Sequence, residues 1–181
     1  YARSKAAGEA AATQAFPGAT IVRPSIVFGP EDDFFNRFAA MARILPALPL
    51  IGGGETKFQP VYVGDVARAA VKALGDPSCR GKTYELGGPK IYSFKELLEL
   101  LLKTIGRKRA LVNLPFGLAR LQARFLELLP KPPLTRDQVT LLQRDNVVAP
   151  AALTLADLGI EATAAEAVIP GYLDKYRPGG R

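Results

Sequence analysis

Residues 19–28 read Ala-Thr-Ile-Val-Arg-Pro-Ser-Ile-Val-Phe and are closed by Gly29-Pro30. A nearly continuous β-branched and apolar run of this length, bounded by turn residues, is the pattern of a parallel strand buried on both faces. Upstream, residues 1–16 are rich in Ala and contain Gly8, which predicts a helix whose small side chains pack closely on another element, stopped by Pro17-Gly18. Downstream, Glu31, Asp32 and Asp33 precede an amphipathic stretch to about Leu45. Carboxylates there suit the positive end of a helix dipole, and capping competes with metal binding as their role.

The same alternation continues. A proline-rich connection through Leu50 leads to a Gly52-Gly53-Gly54 turn and a short strand near Phe58 to Val61. A helix from about Val66 to Leu74 follows, with Asp65 where an N-cap belongs, and Lys82 to Leu86 reads as another strand closed by Gly87-Gly88-Pro89. Ser93 with Glu96 is a capping box opening a helix that ends at Gly106. Ala110 to Leu114 is a weaker strand, and helical patterns cover 116–129, 135–144 and 163–176. Strands alternating with helices early, then mostly helices, give an α/β layer with a more helical portion appended.

Composition narrows the chemistry. The 181 residues, 48% hydrophobic and 23% charged, suffice to bury the core of one ordinary domain. With no His, imidazole-dependent nucleophile systems and His-rich metal sites are excluded within these residues. The lone Cys79 forms no internal disulfide, reads as an incidental loop thiol, and suits a reducing cytoplasm. No apolar stretch is long enough to span a membrane, the run from Ile44 to Gly54 being broken by prolines and glycines. The net charge of +7 is uneven: residues 1–99 hold 12 basic and 10 acidic groups, and 100–181 hold 12 and 7. The densest basic cluster, Lys103 to Arg109, lacks an aromatic ladder, so it reads as a solvated helix end and not as a nucleic-acid site. Phe116 to Leu129 predicts an amphipathic helix with Leu118, Leu121, Phe125, Leu128 and Leu129 on one face and Arg120, Arg124 and Glu127 elsewhere. Such a face packs on its own domain by default; the alternative is a partner or a membrane surface, where basic flanks meet anionic lipid.

Tyr1-Ala-Arg-Ser-Lys5 places a phenol and an ammonium at i and i+4, on one face of the first helix. A phenol of pKa about 10 is a poor base at neutral pH, and an adjacent ammonium favours the phenolate and lets tyrosine exchange a proton with a substrate oxygen.

The order Y-x-x-x-K-A-A-G-E, then R-P-S-I-V-F-G-P, then F-Q-P-V-Y-V-G-D-V-A resembles the extended short-chain dehydrogenase/reductase superfamily. Gly52 to Ala67, G-G-G-E-T-K-F-Q-P-V-Y-V-G-D-V-A, looks most like its atypical branch, the complex I alpha-subcomplex subunit nine family and bacterial relatives. The resemblance covers residues 1 to about 90. It implies the C-terminal part of a Rossmann-like, doubly wound parallel sheet over 1–90, with a mainly helical, substrate-side region over 91–181. It implies Tyr1 as catalytic acid/base and Lys5 as both its tuner and a ligand of the nicotinamide ribose. Pro24, Ser25, Ile26 and Val27 would lie against the nicotinamide of NAD or NADP, at the C-terminal end of their strand. Phe28, Gln59 and Tyr62 would line the substrate side. No metal ligand is implied. Asp65 is open between structural capping and catalysis, and Arg23 between a site residue and a buried strand arginine paired with a carboxylate.

The family's Gly-rich turn and ribose-binding acid precede the Tyr motif, and Gly52 to Gly54 lacks the G-x-G-x-x-G spacing. The chain is therefore expected to be a C-terminal fragment, inactive and unable to bind NAD(P) by itself, with an apolar edge that self-associates or stays covered by an N-terminal piece. The resemblance implies an oxidoreductase or epimerase-like parent or, alternatively, a non-catalytic nucleotide-binding accessory or assembly subunit of respiratory complex I. The expected location is the cytoplasm or the inner membrane face, and the expected partners are the N-terminal half, complex I subunits or the membrane surface.

Overall fold

A computed structural model describes residues 2–128 and 134–180 of the chain. Helix α1 (Ala2–Ala15) leads through a turn into strand β1 (Ile21–Pro24), which bends at Ser25-Ile26 before β2 (Val27–Phe28). Helix α2 (Asp33–Ile44), strand β3 (Ala47–Ile51), a 3-10 turn (Gly52–Gly54) and the short strands β4 (Lys57–Phe58) and β5 (Val61–Tyr62) follow. Helix α3 (Val63–Gly75) and a 3-10 turn (Pro77–Cys79) precede β6 (Thr83–Leu86) and β7 (Tyr92–Ser93). The remainder is α4 (Phe94–Thr104), β8 (Ala110–Leu114), α5 (Phe116–Leu126), α6 (Arg136–Leu141) and α7 (Ala165–Leu173), with 3-10 turns at Ala156–Leu158 and Asp174–Tyr176.

Three strand pairs are parallel: β1 with β6, β2 with β5, and β3 with β8. The pairing of β4 with β7 is antiparallel. Parallel pairs joined through helices are the expected α/β layer, and the predicted single strand 19–28 is split so that its two halves serve different partners. Burial on both faces does not hold: Ile21 and Val22 are half-buried, while Arg23, Pro24 and Val27 are exposed. The reason is local, since among the described residues β1 pairs only with β6 and α1 does not pack tightly over it. Helix α1 forms as predicted, but its alanines are not closely packed; beyond Ala2, whose side chain lies outside the described set, only Glu9 is less than exposed. Strand β3 was hidden by Pro46 and Pro49, which read as a connection; a proline is tolerated on a strand whose other edge is unpaired.

The main core joins α2, α4 and α7 to β3. Phe35, Leu48, Leu98, Leu101, Ile169 and Leu173 are all fully buried there. Phe34 meets Phe35 edge to face at 5.1 Å and Phe94 at 6.0 Å, the arrangement ring quadrupoles favour. A smaller cluster under α3 includes Val61, Ala69, Tyr84, Leu86 and Cys79, so the thiol lies in its turn but buried.

The capping predictions resolve differently at different helices. Asp32 caps α2 through Phe35 N and Asn36 N, and Asp33 sits in the first turn; among the described residues no acidic cluster is arranged to hold a metal. The Ser93–Glu96 box opens α4 as expected. Asp65 is not an N-cap, because β5 runs straight into α3 and the helix begins at Val63, leaving Asp65 inside the first turn. Helix 163–176 is shorter than its pattern, giving way after Leu173 to a 3-10 turn.

Candidate functional site

Strands β1 and β6 end together, Pro24 opposite Leu86, and the backbone that follows forms the C-terminal edge of the parallel layer. Open α/β sheets bind ligands at this edge. Pro24 is exposed there, Ile26 half-buried and Val27 exposed, so an apolar rim faces outward. Ser25 is buried; its N–H donates to Leu86 O at 2.9 Å and its hydroxyl to Asn146 O at 2.7 Å. Phe28 is turned into the core, its ring 5.7 Å from that of half-buried Tyr62.

Gln59 is fully engaged. Its amide nitrogen donates to Gly88 O at 2.8 Å, and its amide oxygen accepts from Val148 N at 3.0 Å. A Cβ on Gly87 would lie 2.5 Å from the Gln59 amide carbon and one on Gly88 2.0 Å from Pro60 O, so both positions need glycine for close approach. The segment around Asn146 forms a strap across this edge. Asn146 O also accepts from Gln59 N at 3.1 Å, Asn146 N donates to Lys57 O at 2.8 Å, and Asp145 accepts from Lys57 N at 2.8 Å. Sequence reasoning did not find the strap, because Asp145-Asn146-Val147-Val148 has neither periodicity nor turn chemistry.

Tyr1 lies outside the described residues. Lys5 is exposed on α1. Glu9, one turn further along α1, grips Arg23 through both carboxylate oxygens, with Arg23 Nε to Oε2 at 3.0 Å, and Arg23 reaches Glu85 at 3.5 Å. Arg23 is therefore paired, as one reading had it, but exposed and not buried. The ion pair holds the Glu9 carboxyl below its ordinary range. It also pins α1 to β1, and Lys5 lies one helical turn before Glu9 on the same face of the helix. A hollow of about 480 Å³ between helix and strand is lined by Ala6, Glu9, Ala10, Thr13, Gln14 and Arg23.

Asp65 is fully buried and works as a clamp. It accepts from Thr163 N at 2.7 Å, from Thr163 Oγ1 at 3.0 Å and from Arg68 at 2.6 Å, tying α3 to the segment that enters α7. This favours the structural reading, though through a distant segment and not through its own helix end.

Chemically, the edge could take one end of a dinucleotide. Pro24, Ile26 and Val27 offer apolar contact for a planar ring, and Lys5 offers an ammonium. The described residues offer no cradle for pyrophosphate. Gly52, Gly53 and Gly54 all have positive φ, as tight-turn glycines do, but Gly52 is packed against the Phe116 ring and Gly54 against Leu50.

Comparison with known proteins identifies the family and the fold. Residues 1–116 match the model of the 3-beta hydroxysteroid dehydrogenase/isomerase family. The chain is 41% identical, over 98% of its length and 47% of the relative's, to NADH dehydrogenase [ubiquinone] 1 alpha subcomplex subunit 9 of Arabidopsis thaliana. It is 35% identical, over 96% of its length and 46% of the relative's, to the NADH-ubiquinone oxidoreductase 40 kDa subunit of Neurospora crassa. The chain thus spans about half the length of the curated relatives it matches. Among solved structures, UDP-glucose 4-epimerase of Thermus thermophilus in complex with NAD superposes with a TM-score of 0.64 at 23% identity, covering 99% of this chain and 54% of that one. A dTDP-glucose 4,6-dehydratase of Streptomyces venezuelae with NAD gives 0.62 at 18%, covering 93% and 47%. These likenesses establish the Rossmann-like short-chain dehydrogenase/reductase fold.

Proposed function

Since the chain belongs to the 3-beta hydroxysteroid dehydrogenase/isomerase family, we propose that it supplies the nicotinamide-side half of a longer NAD(P)-binding protein that serves as an accessory or assembly subunit of a respiratory NADH:ubiquinone oxidoreductase. Residues 1–90 form the dinucleotide-side part and 91–181 the substrate-side region. The observation that carries the reading is the likeness to complex I subunits along nearly the whole chain. The geometry of the edge supports it: the polar side chains assigned to hold cofactor and substrate, Ser25 and Gln59, spend their hydrogen bonds on the strap and the Gly87-Gly88 turn. Such an arrangement stiffens a nucleotide site and leaves few groups to orient a reacting substrate.

In the bound state Lys5 donates to the ribose next to the nicotinamide, while Pro24, Ile26 and Val27 contact the ring and exclude water from one side. Tyr62 borders the substrate side, and Phe28, buried in the core, backs its ring. The location is the inner face of the membrane, alongside the complex I subunits.

A catalytic reading is favoured by one feature, the Tyr1–Lys5 spacing. Hydride chemistry would come from the nicotinamide. Lys5 would hold the Tyr1 phenol in a proton-exchanging state, and Tyr1 would pass a proton to or from a substrate oxygen. The two readings separate on the longer protein: copurification with respiratory-chain subunits together with no NAD(P)H oxidation by quinones or sugar nucleotides supports the accessory role. Turnover abolished by Tyr1→Phe, with dinucleotide affinity kept within about a few-fold, would establish catalysis in its place.

A further inference from the structure

Helix α5 is turned inside out relative to the default for an amphipathic helix. Its buried residues are the small Ala119 and Ala123, both fully covered, while Leu118 is 54% exposed, Leu121 53%, Phe125 64% and Leu128 83%. At 3.6 residues per turn Leu118, Leu121 and Phe125 fall within about 60° of the helix circumference, on the side opposite the two alanines, and Leu128 follows in the turn after the helix. The predicted apolar face is therefore real, but it points away from the domain. Leu129, the fifth predicted member, lies outside the described residues.

Charge around this face has one sign. The only charged residues within α5 are Arg120 and Arg124, and both lie along one side of the apolar stripe, Arg124 the nearer. From Lys103 to Leu128 the chain carries six basic residues and one acidic residue, Glu127. That carboxylate is neutralised by Arg136, with Nε 2.8 Å from Oε2, and falls on the helix side away from the stripe. Arg120 bonds the neutral Gln143 amide at 3.1 Å, and Arg124 makes no ion pair among the described residues.

We propose that the outward face of α5 docks on the surface of an anionic phospholipid bilayer. An exposed stripe of Leu and Phe bordered along one side by arginines suits a helix that lies in the interfacial plane, its apolar side chains among the acyl chains and its guanidinium groups at the phosphates. A second copy of the chain fits less well. A two-fold contact of antiparallel helices would set the same patch against itself and bring Arg120 and Arg124 of both copies to one side without a carboxylate between them, and a contact of parallel helices would leave them without an acidic partner. The inference rests on α5 alone, so its failure leaves the nucleotide reading intact.

Cosedimentation of the longer protein with vesicles of neutral phosphatidylcholine, and of phosphatidylcholine containing phosphatidylglycerol, tests it. Preference for the anionic vesicles is expected at about tenfold or more, diminishing with added salt. Leu121→Gln combined with Phe125→Gln should weaken binding by at least about tenfold, and Arg120→Gln combined with Arg124→Gln should remove most of the anionic preference. All four side chains project outward, so circular dichroism of the variants should match the parent. Absence of vesicle binding by the parent, or undiminished binding by the Leu121/Phe125 variant, overturns the proposal. So does sedimentation showing a dimer that the Leu121/Phe125 variant dissociates while neither protein binds vesicles.

Discussion

Asp65 shows how far one residue can be read from sequence. Its place after a strand and before a helical pattern predicts an N-cap, yet its buried carboxylate binds Thr163, 98 residues away. Nothing local announces such a partner. Asp65→Asn puts an amide N–H against the Thr163 N–H, and an expected loss of about 2–4 kcal/mol should appear as a lower urea midpoint with unchanged slope. Tyr172 has a comparable long tie, donating its hydroxyl to Asp32, the α2 cap. Burial, then the Asp32 carboxylate, push its phenol far above the ordinary 10. The folded state keeps this proton where the unfolded chain loses it, so the contribution is complete below about pH 10 and declines as pH rises beyond it. Urea unfolding at pH 9 and 11 should show a steeper alkaline loss in the parent than in Tyr172→Phe; equal slopes would contradict the assignment. At the candidate site, the residue types of Ser25 and Gln59 were legible. Their hydrogen-bond partners were not, since the strap that takes them lies some 90 to 120 residues downstream.

Among the elements, those with strong local chemistry were legible: the Ser93–Glu96 box, the Asp32 cap and the Gly52–Gly54 turn formed where their residues dictate. Elements whose limits depend on distant pairing were not. The run 19–28 breaks at Ser25-Ile26 because β1 and β2 follow different partners, and β3 forms despite Pro49 because β8 pairs along its whole length. Helix α5 kept its predicted face and reversed its orientation, a choice made by the fit of Ala119 and Ala123 against the core and invisible in periodicity. The Val148 end of the strap is held by one side chain. Gln59→Leu leaves Val148 N and Gly88 O without partners, an expected cost of about 2 kcal/mol. Hydrogen exchange should then show the Val148 amide losing protection while amides of α4 keep theirs; retained protection at Val148 would mean that Gln59 is not its anchor.

For the whole molecule, three parallel strand pairs build the α/β layer, and the Glu9–Arg23 ion pair ties the helix that carries Lys5 to β1. Order and spacing of the Tyr-Lys, Arg-Pro-Ser and Gln-Pro-Val-Tyr motifs made this architecture legible over residues 1–90, the latter two because they sit at strand ends, β1 running into Pro24-Ser25 and Gln59-Pro60 leading into β5. The helical remainder, built from generic amphipathic patterns, told less about where its faces would point. The central claim is that this chain contributes the nicotinamide end of a dinucleotide site through Lys5 and the rim at Pro24 to Val27. Isothermal titration of NADH and NADPH into the longer protein, comparing the parent with Lys5→Met, tests it most directly. The account predicts binding of at least one dinucleotide, weakened by about tenfold or more, roughly 1.4 kcal/mol, when the ammonium is lost. Binding that is absent in the parent, or equally tight in Lys5→Met, would contradict it.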